Sequence, residues 1–233
     1  MKKKIVVTGA SRGIGKAIAL YFGAQGFDVA ICARDIQKLD AVAAEIRAMG
    51  AQVICAACDV TNQQQILQFA ADVQKQWGAI DVLVNNAGQY LPGRVIDEPQ
   101  GNLEQLIETN LYSAYYFSRA FIGKMMAQKS GHIFNISSIA GLQAFPNGGS
   151  YSISKFAMTG LSKALREELK NEGVKVTNVA PGATYTDSWA GANLPESRFV
   201  QANDIAKLLF DMYQLSASAV VEELVIRPIL GDI

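Results

Sequence analysis

Histidine is nearly missing from this chain. Among 233 residues there is one, His132, so any acid–base chemistry must lean on less usual groups. Cysteine is scarce too: Cys32, Cys55 and Cys58 are too few for a disulfide framework. Cys55 and Cys58 form a CxxC, but QVICAACDV reads as a strand running into a loop. A redox pair belongs at a helix N-terminus, and zinc needs more ligands than one remote cysteine and one histidine supply. The pair is therefore read as structural, and no metal is expected. No surplus of either charge exists, with 21 basic and 21 acidic residues, which argues against a nucleic-acid partner. No apolar run reaches the roughly 18 residues a membrane span needs. The basic start MKKKIVV lacks an adequate apolar stretch, ending at Thr8, Ser11 and Arg12, so it reads as an opening strand and not as a signal peptide. These absences lead to the expectation of a soluble, cytoplasmic protein.

What is present is alternation. Apolar, β-branched runs at 4–8, 28–32, 52–56, 81–85, 132–137, 175–180 and 223–227 read as seven strands. They show little in/out alternation, as expected of parallel strands covered on both faces. Between them lie amphipathic segments such as Ile66, Phe69, Ala70, Val73 and Trp77. No linker or repeat interrupts the order, so residues 1–233 are expected to form one unit. The implied architecture is α/β: a Rossmann-type, doubly wound parallel sheet of seven strands with helices on both faces. Such sheets bind ligands at the carboxyl ends of their strands.

Three stretches there carry chemistry. TGASRGIG (8–15) follows the first strand with glycines at 9, 13 and 15, a GxxxGxG spacing and not the commoner GxGxxG. Glycines alone make turns. Placed between a strand and a helix, they suit a pyrophosphate at the helix N-terminus. At the end of the second strand, ICARD offers Ala33 and Arg34 where an acidic residue would hold an unphosphorylated ribose. Asp35 follows the arginine and could instead cap the next helix. Arg34 with Arg12 could pair with a 2′-phosphate, which favours NADP(H). In SYSISK (150–155), Tyr151 and Lys155 share one face if the segment is helical. Alone such a pair is ordinary, but it stands just after the fifth strand, at the binding edge.

Together TGASRGIG, CDV (58–60), NNAG (85–88), ETN (108–110), NISS (135–138), YSISK (151–155) and PGATYT (181–186) resemble the short-chain dehydrogenase/reductase family, in order from about residue 4 to 186. The resemblance implies NADP(H)-dependent interconversion of a carbonyl and a secondary alcohol. It makes Tyr151 the proton donor or acceptor, Lys155 the group that lowers its pKa and holds the nicotinamide ribose, Ser138 the residue that orients the substrate oxygen, and Asn110 the organiser of a proton relay. Cofactor contacts are implied for Gly9, Ser11, Arg12, Gly13, Ile14, Gly15, Arg34, Asp59 (adenine edge), Val60, Asn86, Ala87, Gly88, Tyr151, Lys155, Pro181, Gly182, Thr184 and Thr186. A substrate lid is expected at about 184–202, short by the family's standard. Tyr90, Leu91, Phe145, Tyr185 and Trp189 are candidates for an apolar, aromatic pocket.

The C-terminus, VVEELVIRPILGDI, lacks the Val-Asp-Gly-Gly run of many members. A 3-oxoacyl thioester reductase is an alternative, with Arg94 and Arg198 available to a carrier or coenzyme A. A non-catalytic NADP(H) sensor is another, though all four catalytic positions are filled. Segments 102–127 and 151–172 read as long helices with apolar positions left over. By the same resemblance they pair between subunits, giving a homotetramer or homodimer. His132 is expected to cap or start the fifth strand.

Overall fold

The computed structural model describes residues 2–189, 191, 193–231 and 233. Seven strands form one parallel sheet: β1 (Lys4–Thr8), β2 (Asp28–Ala33), β3 (Val53–Ala57), β4 (Val82–Asn85), β5 (Gly131–Ile136), β6 (Val174–Pro181) and β7 (Glu223–Ile226), ordered β3-β2-β1-β4-β5-β6-β7. All seven expected strands form, within about two residues of their expected ends. Burial of the strands on both faces explains their apolar runs. Ile5, Val7, Val29, Ile31, Val82, Val84 and Phe134 point to one face, and Val6, Ala30, Leu83, Ile133 and Val176 to the other. The two edge strands depart from this pattern, β3 being partly and β7 alternately exposed, because each has only one neighbour.

On the first face lie α1 (Gly13–Ala24), α2 (Ile36–Ala48) and α7 (Ala202–Tyr213). Phe22, Phe27, Phe210 and Tyr213 meet there edge to face at 5.0–6.3 Å. The second face carries α3 (Gln63–Trp77), α5 (Ser113–Ala127) and α6 (Gly149–Leu169), with the short α4 (Asn102–Ile107) ahead of α5. The pattern at 102–127 predicts one helix, but the structure has two, joined by a π-turn over Glu108–Tyr112. The turn widens the helix at Asn110, a side chain with hydrogen bonds to satisfy off the helix axis.

The order reverses between β1 and β4, where the chain crosses from one side of β1 to the other. The strand ends at that crevice deliver Gly9, Asn86 and Ile136, and set the place of the site.

Candidate active site

Thr8 ends β1 and starts the construction. Its hydroxyl accepts hydrogen bonds from the backbone N–H groups of Asn86 (3.0 Å) and Ala87 (2.9 Å), locking the glycine turn to the end of β4. The Asn86 amide reaches the other way, donating to the carbonyls of Thr8 (2.9 Å) and Gly9 (3.1 Å). Gly9 has φ +66°, and a Cβ there would lie 2.9 Å from Ala87 Cα; one at Gly15 would lie 2.4 Å from the Asn86 amide. Only glycine fits this close approach. Asn86, expected to line the cofactor, spends its side chain holding the turn. Thr8 escaped the sequence reading, because nothing in the string marks a threonine as a strut.

Beyond the turn, α1 begins without a side-chain cap, Arg12 occupying the cap position, so its first N–H groups have no side-chain acceptor of their own. Thr186 hangs over this helix start, its Cγ2 3.2 Å from where a Gly13 Cβ would be. Thr184 is buried, its hydroxyl donating to Gly182 O at 3.0 Å. Arg34 is exposed, with no hydrogen-bond or ion-pair partner among the described residues. Asp35 caps α2, accepting from Lys38 N–H at 3.1 Å. Arg12 instead meets Asp187, in the segment expected as a lid, at 3.5 Å. Asp59 holds its own loop, accepting from Thr61 N–H and Oγ1–H at 3.0 and 2.9 Å.

At the far side of the crevice α6 presents Tyr151 and Lys155. Lys155 is 5 % exposed, and its Nζ donates to Ile136 O, the end of β5, at 3.0 Å. Burial lowers its pKa to about 8 because desolvation penalises the ammonium. The ammonium is 5.8 Å from the Tyr151 ring centroid and 3.5 Å from where a Gly88 Cβ would be. The Tyr151 pKa does not fall as expected. Burial raises it, a hydrogen-bonding interaction with Ser138 eases the rise, and Tyr90 adds to it. Desolvation of the phenolate is the largest of these causes. Ser138 caps the turn at Ile139–Gly141, accepting from Ala140 N–H at 3.1 Å.

Asn110 is fully buried. Its Oδ1 accepts from Gln89 N–H (2.7 Å), and its Nδ2 donates to Gln89 O (3.0 Å) and Ser154 Oγ (2.9 Å). Ser154 in turn donates to Tyr151 O at 2.8 Å, so the π-turn is tied to the helix carrying Tyr151. Asn110, Ser138, Tyr151 and Lys155 thus converge on one crevice from the π-turn, the end of β5 and α6.

Tyr90 packs edge-on against Tyr151, centroids 5.0 Å apart. The segment expected to form a lid is pinned at its base by Tyr185 N–H to Val200 O (2.9 Å) and Val200 N–H to Ala183 O (3.0 Å). Trp189 and Tyr185 pack on Phe199 at 5.2 and 5.8 Å; residues 190 and 192 of the expected lid lie outside the described residues. Phe145 lines, with Val95, Pro146, Ile153 and Phe156, a cavity of about 600 Å³ against α6. Arg94 is paired with Asp97, and Arg198 donates to Gly231 O at 2.7 Å.

The remaining candidates lie apart from the crevice. His132 is buried, stacked on Phe134 at 3.8 Å, with Nε2 at 2.8 Å from Thr177 Oγ1. Thr177 donates its own proton to Val221 O, so Nε2 carries the hydrogen toward Thr177. Burial, helped by Lys175, lowers the His132 pKa to about 3. All three cysteines are free thiols. Within the CxxC, Cys55 donates to Asp40 and Cys58 neighbours Cys32.

A doubly wound sheet with a glycine turn under β1 and a Ser-Tyr-Lys group over β5 defines a nicotinamide-dependent oxidoreductase. The family model for short chain dehydrogenases matches residues 3–197, and the chain belongs to that family. It is 32 % identical to the sepiapterin reductase of Chlorobaculum tepidum over all of this chain and 99 % of that one. A metagenomic short-chain oxidoreductase crystallised with NADP is 38 % identical, with a TM-score of 0.86 over 97 % of this chain and 96 % of the other. An alcohol dehydrogenase from the archaeon Thermococcus sibiricus, complexed with 5-hydroxy-NADP, is 27 % identical with a TM-score of 0.92, covering 100 % and 99 %.

Proposed function

We propose that this NADP-dependent enzyme reduces a small apolar or aromatic ketone to a secondary alcohol, or runs the same reaction in reverse. The observation that carries the reading is the meeting of Ser138, Tyr151 and Lys155 at the carboxyl end of β5, beside a backbone cradle in which side chains at Gly9 and Gly15 would collide. The glycine turn and the start of α1 suit the pyrophosphate, Arg34 and Arg12 the 2′-phosphate, and Lys155 with Gly88 the nicotinamide ribose. Held there, NADPH would be the source of the hydride for the carbonyl carbon. Ser138 and Tyr151 donate hydrogen bonds to the oxygen as it gains charge, and Tyr151 passes its phenolic proton to that oxygen. Its raised pKa keeps the phenol protonated at neutral pH, the form needed to give a proton. Lys155 stands ready to hold the resulting phenolate.

Tyr90, Tyr185 and Trp189 frame the approach and favour a flat or apolar substrate. Because Arg94 and Arg198 are engaged within the chain, nothing at the mouth favours a carrier-bound acyl thioester. Outside the crevice, Ile153 and Phe156 of α6 and Tyr112 and Tyr115 near α5 are 38–48 % exposed. That apolar face supports pairing of α5 and α6 between copies, in a homodimer or homotetramer. No helix among the described residues is long and apolar enough to cross a membrane, in keeping with the cytoplasmic location proposed.

The test is NADPH oxidation at 340 nm over a ketone panel, with Tyr151→Phe as control. We expect turnover that falls about 10²–10⁴-fold in the variant; turnover surviving the substitution refutes the assigned chemistry.

A further inference from the structure

The helix that carries Tyr151 begins at Gly149 with glycine before it, and its cap position offers no side chain to the first free N–H groups. The missing acceptor comes from 52 residues away. Glu98 accepts from Ser150 through both oxygens, Oε1 from the hydroxyl and Oε2 from the backbone N–H at 3.3 Å. A carboxylate at a helix N-terminus is doubly favoured, by the orphan donors and by the macrodipole.

Two glycines, Gly93 and Gly149, make room for the contact. Gly93 N–H donates to Asn147 O at 3.0 Å, and Gly93 bridges to Gly148. A Cβ on Gly93 would lie 2.7 Å from Glu98 Cβ, and one on Gly149 would lie 2.6 Å from Gly93 O and 3.0 Å from Glu98 Oε2. The segment 93–98 is thus strapped across the start of α6. The same loop carries Tyr90, whose ring meets Tyr151 edge-on, and Ser150 immediately precedes Tyr151.

We propose that Glu98 is a positioning residue, clamping the first turn of α6 so that Tyr151 is held between Ser138 and Tyr90. The consequence for catalysis rests on the role proposed for Tyr151, but the clamp is measurable without substrate. With ¹³C at the tyrosine Cζ, the Tyr151 signal is assigned by its loss in Tyr151→Phe and titrated in the ligand-free protein. In the wild type it titrates above the ordinary tyrosine value of about 10 because the phenol is desolvated. In Glu98→Ala the first turn loosens and water reaches the ring. The midpoint then falls by about half a pH unit or more, worth about 0.7 kcal/mol, and kcat drops about tenfold with the KM for NADPH unchanged.

Glu98→Gln keeps one acceptor oxygen for Ser150 and recovers most of both readings. Ser150→Ala, which removes one of the two bonds, gives a smaller shift in the same direction and decides the matter if Glu98→Ala does not fold. A folded Glu98→Ala or Ser150→Ala with wild-type titration and kcat overturns the proposal, as does a Glu98→Gln as impaired as Glu98→Ala. If Tyr151→Phe retains turnover while the titration shifts as expected, the catalytic role fails and the clamp stands.

Discussion

A buried nitrogen base lies near each end of strand β5, His132 on the strand itself and Lys155 reaching it from α6, and the two have opposite fates. At the amino end His132 is stacked, hydrogen-bonded through Nε2 and held neutral. At the carboxyl end Lys155 spends one donor on Ile136 O and keeps its others in the crevice. The contrast extends along both edges of the sheet. At the amino edge Asp81 accepts from Lys4 N–H at 2.8 Å and pairs with Lys3 at 2.8 Å. Asp28 accepts from Gln52 N–H at 2.9 Å, and Lys175 donates to Leu215 O and Ser216 O. Polar groups there satisfy one another, His132 Nδ1 excepted. At the carboxyl edge Arg34 and the N–H groups that open α1 have donors to spare. Polar capacity left over marks the working end, and polar capacity used up marks the structural end.

Lys155→Met should break this contrast most visibly. We expect turnover to fall about 10²–10⁴-fold while the ligand-free protein becomes more stable. A lysine whose pKa drops from 10.5 to about 8 on folding destabilises the fold whenever it is protonated. The cost is full below pH 8 and is relieved as pH rises from 8 to 10.5, at about 1.4 kcal/mol for each pH unit crossed. Removing the charge should thus raise stability by about 1–3 kcal/mol at pH 7, partly offset by the lost bond to Ile136. Urea midpoints at pH 7 and 10 measure it. An equal or lower midpoint in the variant at pH 7 would mean the ammonium is well accommodated.

His132→Gln addresses the other end. The unfolded chain binds a proton at His132 near pH 6.5, whereas the folded one resists until about pH 3. Stability attributable to this histidine is whole above pH 6.5 and declines as pH falls toward 3, by about 5 kcal/mol in all. The variant should be less stable than wild type at pH 7, since it loses the Phe134 stack, yet lose less on acidification. Turnover at neutral pH should be unchanged. Parallel acid titrations of the two proteins would refute the assignment.

Sequence legibility follows the same division. The seven strands are readable because a strand covered on both faces must be apolar throughout, and Tyr151 and Lys155 because four residues on a helix bring side chains together. The glycine turn is readable because close backbone approach excludes every other residue type. What escapes the string is whatever depends on long-range partners. The π-turn at Asn110 has the same apolar spacing as the helix around it and exists because Gln89 and Ser154 claim the side chain. The raised Tyr151 pKa depends on how deeply the fold buries the phenol and on Tyr90 coming to rest against it. Glu98 looks like any loop carboxylate until Ser150 is placed against it.

Cofactor choice tests the spare capacity at the carboxyl edge. Arg34→Ala should raise the KM for NADPH about 10–100-fold, the loss of one charge-assisted contact, and leave that for NADH nearly unchanged. An equal effect on both cofactors would place Arg34 outside the 2′-phosphate site.

The smallest effect expected is at Asp187. The Lys3–Asp81 pair is 2.8 Å long, with the carboxylate side chain 16 % exposed, whereas Arg12–Asp187 is 3.5 Å long, with side chains 64 % and 62 % exposed. An exposed pair of that kind contributes between about 0 and 1 kcal/mol. Asp187→Asn should leave stability unaltered and free Arg12 for the phosphate, tightening NADPH binding about two- to threefold at low ionic strength. The gain should fade as salt screens the guanidinium. Titration by cofactor fluorescence at two salt concentrations resolves a change of this size. Weaker binding in the variant would show instead that Asp187 holds Arg12 in its binding position, making the pair part of the site and not a competitor for it.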